Sequence, residues 1–299
     1  MNGKPLKRRL RHGLIRVALD TVSALPLDVA ADFGRGLGGL AFHLAGKQRR
    51  LALEGLARAF PGWTEAERRA VALACFRHLG QSAFELACVR RLDVQADRLL
   101  EWPAADRAVL DGALGEGRGV VFVSGHVGNW ELLARTVGRA GYPCQTIAKE
   151  TTDARTSALL ERFRARGNVR TIWRGAEGAA RAMLRALRGG EVLGLLIDQD
   201  TRVQSLFVPF FGHLASTPRA AADLALRTGA AVVTGYCHRV GEQTRYRISM
   251  RRIRPAVSSG DREADALALT AALTADIEQA IREAPAQWVW MHRRWKSRP

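Results

Sequence analysis

The chain has 299 residues, enough for one large α/β domain or two small ones with a substantial buried core. Its 46 Lys and Arg residues exceed its 29 Asp and Glu residues, which gives a formal net charge of +17 at pH 7. That excess predicts an anionic partner: a nucleic acid, a membrane surface or an acidic protein. No nucleic-acid role is predicted, because the sequence contains no basic region leading into heptads, no Cys/His finger and no RNA-recognition pattern.

The N-terminal segment is rich in apolar residues from Leu14 to Ala45. Charges interrupt it at Arg16, Asp20, Asp28, Asp32 and Arg35. Because a spanning helix needs about 20 predominantly apolar residues, no membrane-spanning helix is predicted. The pattern favours one or two amphipathic helices that lie in a membrane interface, with Lys and Arg facing anionic head groups. The alternative is that these helices only cover the core of the domain.

Two features indicate a protein that faces the cytosol. The basic stretch from Lys4 to His12 superficially resembles the start of a signal peptide, but charged interruptions follow it and no convincing cleavage site is present. The cysteines have no Cys-x-x-Cys pair and no framework spacing, and they are predicted to be reduced and mostly buried.

Beyond about residue 60 the pattern is α/β throughout. The stretch from Thr64 to Glu67 is a capping box that opens a helix running toward His78, and a second helical stretch is predicted from Ser82 to Arg90. No repeat or low-complexity linker marks a second domain. We therefore predict a single α/β domain over residues 61–299, with a central, mostly parallel or mixed sheet flanked by helices. Amphipathic helices precede it, in a membrane-associating segment over residues 1–60.

One stretch of this domain carries a candidate general base. Val120 to Val123 are consecutive apolar residues between glycines, which is typical of a buried strand, and His126 follows directly. Asn129 is predicted to cap the next helix, so that Glu131 falls in its first turn. In that geometry Glu131 would hold the imidazole in one tautomer and stabilise its cation, leaving His126 as a base toward a hydroxyl. The alternative is a capping interaction or a surface pair.

Glycines beside the histidine suggest a site for an anion. Gly125 and Gly128 flank His126, and glycine permits close approach of a ligand to the backbone. Backbone amides at Gly125, Gly128 and Asn129 are therefore predicted to bind an oxyanion or a phosphate at the helix N-terminus. No metal is predicted, because a His and a Glu five positions apart do not form the spacing that places two imidazoles on one helical face.

A second buried strand is predicted over Glu191 to Ile197, and it delivers Asp198 and Asp200 at its carboxyl end. If the two strands run parallel, these aspartates and His126 share one site, since ligands gather at the carboxyl ends of such strands. Asp198 and Asp200 are predicted to position a basic side chain or the substrate. Capping of a turn is an equal alternative for Asp200. Thr217 and Pro218 are predicted to begin a helix that ends at Arg227.

Three stretches carry a family resemblance. The His126 motif, Gly-His-Val-Gly-Asn-Trp-Glu, resembles the His-x4-Asp/Glu motif of the lysophospholipid acyltransferase superfamily, and in particular of the bacterial lipid A late acyltransferases. Ile197 to Asp200, followed by Phe207 to Gly212, is similar to the Asp-x-Asp and Phe-Val-Pro-Phe-Phe segments of that family. The closing stretch from Ala286 to Pro299 is similar to its Trp-x-His-Arg-Arg-Phe/Trp-Lys-x-Arg-Pro ending. The resemblance extends from about residue 59 to the end.

The resemblance implies a fatty acyl transfer in lipid A and lipopolysaccharide biosynthesis. The donor would be an acyl-carrier-protein thioester, or acyl-coenzyme A, and the acceptor a hydroxyl of a phosphorylated lipid A precursor. No cofactor is implied. The expected location is the cytoplasmic face of the bacterial inner membrane, with peripheral or monotopic attachment. Alternatives are an acyltransferase for a lysophospholipid, an ornithine lipid or another glycolipid, and a membrane-bound scaffold in which the motif is inert.

The resemblance also points to basic residues for the substrate. Family members carry a basic residue after the histidine motif, usually Arg and often with Asn four positions later, where this chain has Lys149 and Asp153. Lysine keeps the charge but lacks the bidentate fork of arginine. Arg174 is the next candidate for a phosphate or glycan, with a structural salt bridge as the alternative. Arg293 and Arg294, among tryptophans, suit an interfacial lipid phosphate; packing of the tail on the core is the competing explanation.

Overall fold

Alternating strands and helices build a central sheet in the computed structural model, which describes residues 21–150, 154–254 and 258–299. In chain order the strands are β1 (Leu100–Glu101), β2 (Val120–Ser124), β3 (Cys144–Lys149), β4 (Val169–Arg174), β5 (Val192–Leu196), β6 (Ser205–Phe210), β7 (His213–Pro218), β8 (Ala231–Arg239) and β9 (Tyr246–Ile253). The helices bounded within the described residues are α1 (Leu27–Leu44), α2 (Gly46–Ala59), α3 (Glu65–Ala87), α4 (Val89–Val94), α5 (Ala96–Leu99), α6 (Ala104–Gly115), α7 (Trp130–Arg139), α8 (Ala154–Ala165), α9 (Ala179–Arg188), α10 (Ala220–Thr228), α11 (Arg262–Glu283) and a 3-10 turn (Pro285–Gln287).

The sheet has seven strands in the order β1-β9-β8-β2-β5-β3-β4. All neighbouring pairs are parallel except β8 and β9, and β6 and β7 form a separate antiparallel hairpin. This is the single α/β domain with a mostly parallel, mixed sheet that the sequence predicts. Strands β2 and β5 are direct neighbours, with Ser124 opposite Leu196. The residues that follow these two strands therefore emerge side by side at the carboxyl edge of the sheet.

Side chains of β2 alternate between two cores, one on each face of the sheet. Val121 and Val123 belong to the larger core, which also receives α2, α3, α9, α10 and α11. Val120 and Phe122 belong to the second core, which is covered by α6 and α7. Because both faces are covered, the strand is apolar at every core position, as expected of a central parallel strand.

Helices α1 and α3 approach closely through glycines. A Cβ atom added to Gly38 would lie 2.2 Å from the Phe76 carbonyl oxygen, and one added to Gly34 would lie 2.5 Å from the Gly80 carbonyl oxygen. Another face of α1 carries a row of apolar side chains that are 40–75 % exposed, of which Phe33 also packs edge-on against Phe84 of α3. This exposed row consists of Val29, Phe33, Leu37, Leu40 and Leu44. No helix in the described ranges is both long and apolar enough to cross a bilayer.

One local prediction is confirmed and two are wrong. The Thr64 side chain accepts from the Glu67 amide, and the Glu67 carboxylate accepts from the Thr64 amide, as in the predicted capping box. The helix it opens continues unbroken to Ala87, because no residue near Ser82 stops it. Thr217 does not cap a helix: it lies in β7 opposite Leu206, since hairpin pairing and packing outweigh its capping preference.

A buried ion pair connects α3 with β8 and β9. Arg239 donates to Glu85 over 2.6 and 2.7 Å, and Tyr246 donates its hydroxyl to the same carboxylate. The guanidinium also faces Nδ1 of His78 at 3.4 Å, so the other ring nitrogen, Nε2, carries the proton and donates to the Gly128 carbonyl oxygen at 3.2 Å. The turn that follows His126 is thus supported from α3 through a neutral histidine.

Gly38 and Gly36 lie on one helix and offer a matched test of its packing. We expect Gly38→Ala to lower the free energy of unfolding by at least about 1–3 kcal/mol, because the new methyl group would overlap α3. Gly36→Ala should raise it by roughly 0.5–1 kcal/mol, since the site is open and alanine favours the helix. Urea unfolding measures both. Stabilisation by both substitutions would contradict the close contact of α1 with α3.

Burial of His78 predicts a loss of stability in acid. Burial, together with the charge of Arg239, lowers the pKa of His78 to about 3, below the value of about 6.5 in an unfolded chain. Between about pH 3 and about pH 6.5 the unfolded chain binds more protons at this histidine than the folded chain does. The contribution of neutral His78 to the free energy of unfolding is therefore complete above about pH 6.5 and declines as the pH falls toward about 3. From pH 7 to pH 5 the loss should be about 2 kcal/mol for this group. Urea unfolding of His78→Asn should show a correspondingly smaller pH dependence; an unchanged dependence would contradict a neutral buried His78.

Candidate active site

His126 and Asp198 meet at the carboxyl edge of the sheet. His126 follows β2 and Asp198 follows the neighbouring strand β5, as the sequence predicts. Nδ1 of the imidazole lies 2.8 Å from Oδ1 of Asp198, and the backbone amide of His126 donates to Oδ2 over 2.7 Å. One carboxylate therefore holds both the ring and the backbone of the histidine.

The carboxylate of Asp198 is almost completely buried, with 1 % of the residue exposed. The indole Nε1 of Trp288 donates to Oδ2 over 2.8 Å, in addition to the two donors of His126. Burial alone would raise the pKa of Asp198, but the attraction and hydrogen bond of His126, with smaller contributions from His292 and Trp288, outweigh it and hold the pKa well below its ordinary value. Asp198 is therefore ionised and can only accept hydrogen bonds.

An ionised acceptor fixes the tautomer of His126. Nδ1 must carry the proton that it donates to Asp198, so the lone pair lies on Nε2. The imidazole side chain is 19 % exposed, which leaves the ring accessible from one side. The arrangement of carboxylate and imidazole is that of an oriented general base, or of a histidine whose cation is stabilised by a neighbouring charge.

The predicted contact of Glu131 with His126 is wrong. Glu131 forms a bidentate ion pair with Arg164, over 2.5 and 3.0 Å, and both side chains are largely buried. Asp198 occupies the position beside the imidazole that the sequence predicts for Glu131. The physical reason is that the first turn of α7 directs Glu131 toward Arg164 of α8, while Asp198 follows β5 and meets Nδ1 at the edge of the ring.

Two of the three backbone amides predicted to bind an anion, those of Gly128 and Asn129, donate to carbonyl groups of the chain. The Gly128 amide donates to the Gln287 carbonyl over 2.8 Å, and the Asn129 amide donates to the Cys237 carbonyl over 2.9 Å. Gly128 has φ +62, and a Cβ atom there would lie 2.1 Å from the Cys237 oxygen. A Cβ atom on Gly125 would lie 3.2 Å from the Asp198 carboxylate. These glycines thus permit close packing of the turn, whereas the amides of Gly128 and Asn129 are not free for a ligand.

Two residues that the sequence did not single out stand beside the base. The side-chain amide nitrogen of Gln199 lies 3.1 Å from Nε2 of His126 and 2.9 Å from Nε2 of His292. The two imidazole rings are 5.0 Å apart, and Trp130 packs edge-on against His126 at 4.9 Å. Two features of the sequence could have indicated these residues: Gln199 lies between two aspartates, and His292 lies inside the closing motif.

Asp200 and Arg294 hold the C-terminal tail instead of a ligand. Asp200 accepts from the Ser297 amide over 2.6 Å and from its hydroxyl over 3.0 Å. Arg294 is 1 % exposed; it donates to the Ser216 carbonyl and to the Thr217 hydroxyl, and burial lowers its pKa to about 10. The prediction that Arg294 contacts substrate is therefore corrected: its charge is enclosed under the β6–β7 hairpin.

Three other predicted basic residues remain accessible. The pairing of β3 with β4 sets Lys149 directly opposite Arg174, at the edge of the sheet that carries His126. Lys149 is exposed, and Arg174 is half-buried with Nη1 3.4 Å from the Thr201 hydroxyl. Arg293 is exposed on the tail. Asp153, which was compared with the family asparagine, lies outside the described residues.

An apolar cleft adjoins the base. It lies between α7 and strands β3 and β5, and its walls include Trp130, Glu131 and Arg164. The remaining lining is mostly apolar and comprises Phe122, Leu133, Ala134, Val137, Cys144, Ile147, Val192, Leu195 and Leu196, with Ser124, Gln145, Thr146 and Gly194 between them. Trp130 connects the two features, because it lines the cleft and also packs against His126.

Comparison with known proteins agrees with the resemblance in the motifs. The sequence profile of the family described as bacterial lipid A biosynthesis acyltransferase matches residues 3–297. The chain is 28 % identical over 282 residues to the lipid A biosynthesis palmitoleoyltransferase of Escherichia coli K12, covering 92 % of this chain and 87 % of that protein. It is 27 % identical over 291 residues to the lipid A biosynthesis lauroyltransferase of the same organism, covering 93 % and 89 %.

A relative with a different name has similar coverage. The chain is 26 % identical over 313 residues to a phosphatidylinositol mannoside acyltransferase of Mycobacterium tuberculosis H37Rv, covering 99 % of this chain and 94 % of that protein. The names of these relatives share acyl transfer and differ in the acceptor. The family match over nearly the whole length identifies the chain as an acyltransferase that belongs to the bacterial lipid A biosynthesis acyltransferase family.

Proposed function

We propose that the chain transfers a fatty acyl group from an acyl-carrier-protein thioester to a hydroxyl of a lipid A precursor, with His126 as the general base. The observation that carries this proposal is the His126–Asp198 pair, whose imidazole packs against Trp130 in the wall of an apolar cleft. A base with an accessible Nε2 can activate a hydroxyl, and an apolar cleft beside it suits a hydrocarbon chain.

In the proposed reaction, Nε2 of His126 takes the proton of the acceptor hydroxyl. The oxygen attacks the thioester carbon, a C–O bond forms, and the C–S bond then breaks. The imidazolium returns the proton to the leaving thiolate, so that ester and free thiol are the products. Asp198 keeps Nδ1–H oriented and stabilises the imidazolium, as the carboxylate of a catalytic triad does. In this proposal Glu131 supports the site through Arg164 and does not contact the base.

Basic residues at the edge of the site support a phosphorylated acceptor. Lys149 and Arg174 lie opposite one another on adjacent strands, and Arg293 is exposed on the tail that also carries His292. Cations at this edge would attract the phosphates of a lipid A precursor. A second acceptor class, a different glycolipid, is favoured by the similarity to a phosphatidylinositol mannoside acyltransferase. It would use the same base.

A row of arginines supports an acidic protein as the donor. Arg181, Arg185 and Arg188 are exposed, and their spacing places them on one face of α9. None of the three has an acidic partner within the described residues. An acyl carrier protein is acidic, so charge complementarity favours it over acyl-coenzyme A as the source of the thioester.

We also propose peripheral or monotopic attachment to the cytoplasmic face of the inner membrane through residues 1–60. The exposed apolar row on α1 is the surface that would enter the lipid, since contiguous exposed apolar side chains are unusual on a protein surface. The six Lys and Arg residues among the first 20 positions would add attraction to anionic head groups.

Replacement of the proposed base or of its carboxylate should remove most activity. We expect His126→Ala and Asp198→Asn each to lower kcat by about 10²–10⁴, because the first removes the base and the second leaves its tautomer unfixed. Asp97→Asn, at an exposed aspartate, is the control and should leave kcat within about twofold. Near-normal turnover of either active-site variant, with the fold intact by circular dichroism, would contradict the assignment.

The assay follows the mass of the acceptor lipid. Purified protein is given carrier proteins loaded with medium and long chains, or the matching acyl-coenzyme A, together with an under-acylated lipid A precursor or a lysophospholipid. A gain of one acyl group on the lipid A precursor supports the proposal and identifies the chain length. A gain only on the lysophospholipid keeps the chemistry and changes the acceptor. No transfer to either acceptor would refute the proposed function.

The membrane surface can be tested by making the α1 row polar. We expect the combined substitution of Phe33, Leu37 and Leu40 by serine to weaken binding to anionic phospholipid vesicles by at least about tenfold, because the exposed row would no longer be buried in lipid. Cosedimentation with vesicles measures the change.

A matched control removes equally exposed apolar side chains elsewhere. Val94, Val240 and Leu267 are 87 %, 49 % and 44 % exposed and lie outside α1. Their combined replacement by serine should leave vesicle binding unchanged within about twofold. Equal weakening by both sets would mean that general surface apolarity, and not the α1 row, holds the protein on lipid.

A further inference from the structure

Acyl transfer needs a donor for the negative oxygen of the tetrahedral intermediate. Three backbone amides around His126 are already used: that of His126 donates to Asp198, that of Gly128 to Gln287 and that of Asn129 to Cys237. These contacts fix the turn that supports the base, so breaking them during catalysis would disturb the base itself. These three amides are therefore not available to an oxyanion, and a side chain can supply the donor instead.

Gln199 has the required position. Its amide nitrogen lies 3.1 Å from Nε2 of His126, the atom that would receive the hydroxyl proton. The same nitrogen lies 3.3 Å from Nδ1 of that ring, so it sits against the face of the imidazole and leaves the in-plane lone pair of Nε2 open to the acceptor hydroxyl. With the hydroxyl on that lone pair, one N–H of Gln199 lies next to the attacking oxygen. The thioester carbonyl must approach the same point.

His292 holds the second N–H of the same amide. Its Nε2 lies 2.9 Å from the amide nitrogen of Gln199, so this imidazole must also present a lone pair. Burial and the nearby His126 lower the pKa of His292 to about 4, which keeps the ring neutral and able to accept. The backbone of Gln199 is itself fixed between Asp198, which holds His126, and Asp200, which holds Ser297. The side-chain amide is thus held by His292, and the backbone of Gln199 is held by its two neighbours.

We propose that Gln199 is the oxyanion donor of this acyltransferase and that His292 is the residue that positions its amide. The proposal rests on the proposed function and adds a catalytic role to a residue that lies between the two aspartates. In the resting site the amide donates to His292 and lies against the ring of His126. During the reaction one N–H donates to the carbonyl oxygen, while the other stays on His292.

The electron and proton balance is unchanged by this role. The carbonyl π electrons move onto oxygen as the C–O bond forms, and Gln199 donates a hydrogen bond to that oxygen without transferring a proton. The electrons return when the C–S bond breaks, and the proton held by His126 goes to the thiolate. Gln199 therefore affects the height of the barrier and not the stoichiometry.

The first test replaces the amide by an isosteric group and by a truncated one. Gln199→Glu and Gln199→Ala should each lower kcat by about 10²–10³ while KM changes less than about threefold, because a donor to the transition state is lost and ground-state binding is kept. Gln279→Ala, at an exposed glutamine on α11, is the control and should be unaffected. Unchanged or raised kcat in Gln199→Ala would overturn the proposal, since the amide would then only block the base.

The second test separates positioning from packing. His292→Phe keeps an aromatic ring but removes the acceptor, and we expect a loss of roughly tenfold in kcat. His292→Asn restores an acceptor and should recover part of that loss, which a purely structural role would not require. Equal activity of the two variants would refute the positioning role. Because His126→Ala must be inactive and the unmodified protein active in the same assay, failure of this inference is distinct from failure of the proposed function.

Discussion

The arrangement of the site depends on one buried carboxylate. Asp198 is enclosed by protein and accepts three hydrogen bonds, two from His126 and one from the indole of Trp288. A buried charge without such donors would cost several kcal/mol, so the surrounding chain must keep all three in place. These donors come from the end of β2 and from the C-terminal tail, which are 162 residues apart between His126 and Trp288. The carboxylate thus joins segments that the sheet alone would leave unconnected.

The closing motif has a mainly structural role in this arrangement. Trp288 and Trp290 are completely buried, Arg294 is enclosed beneath the hairpin, and Asp200 holds Ser297. The tail therefore covers the carboxyl edge of the sheet and completes the environment of Asp198. On the other side of the site, the ion pair between α3 and β8 supports the turn after His126 through a neutral histidine. His126 is thus fixed by strand β2 before it, by the carboxylate of Asp198 beside it and by the supported turn after it. Such support suits a side chain that must keep one orientation.

Sequence patterns predicted the parts of the site that depend on local structure. Apolar periodicity predicts the strand before His126 and the position of Asp198 at the same edge of the sheet. Capping chemistry predicts Asn129 as the N-cap of α7, and its side chain accepts from the Leu132 amide at 3.1 Å. The imidazole partner did not follow, because spacing along the chain favoured Glu131, five residues away, over Asp198, which is 72 residues away. Local patterns also do not show which groups are engaged by distant parts of the chain. The amides of the turn are engaged by the carbonyls of Cys237 and Gln287, and Arg294 is enclosed through its contact with Ser216.

The central claim is that Asp198 fixes His126 with its proton on Nδ1 and its lone pair on Nε2. Nitrogen-15 NMR of the histidine side chains at neutral pH measures this directly, because protonated and unprotonated ring nitrogens differ strongly in chemical shift. The account predicts a protonated Nδ1 and an unprotonated Nε2 for His126, with this preference lost in Asp198→Asn. A proton on Nε2 in the unmodified protein, or the same spectrum in the variant, would contradict it.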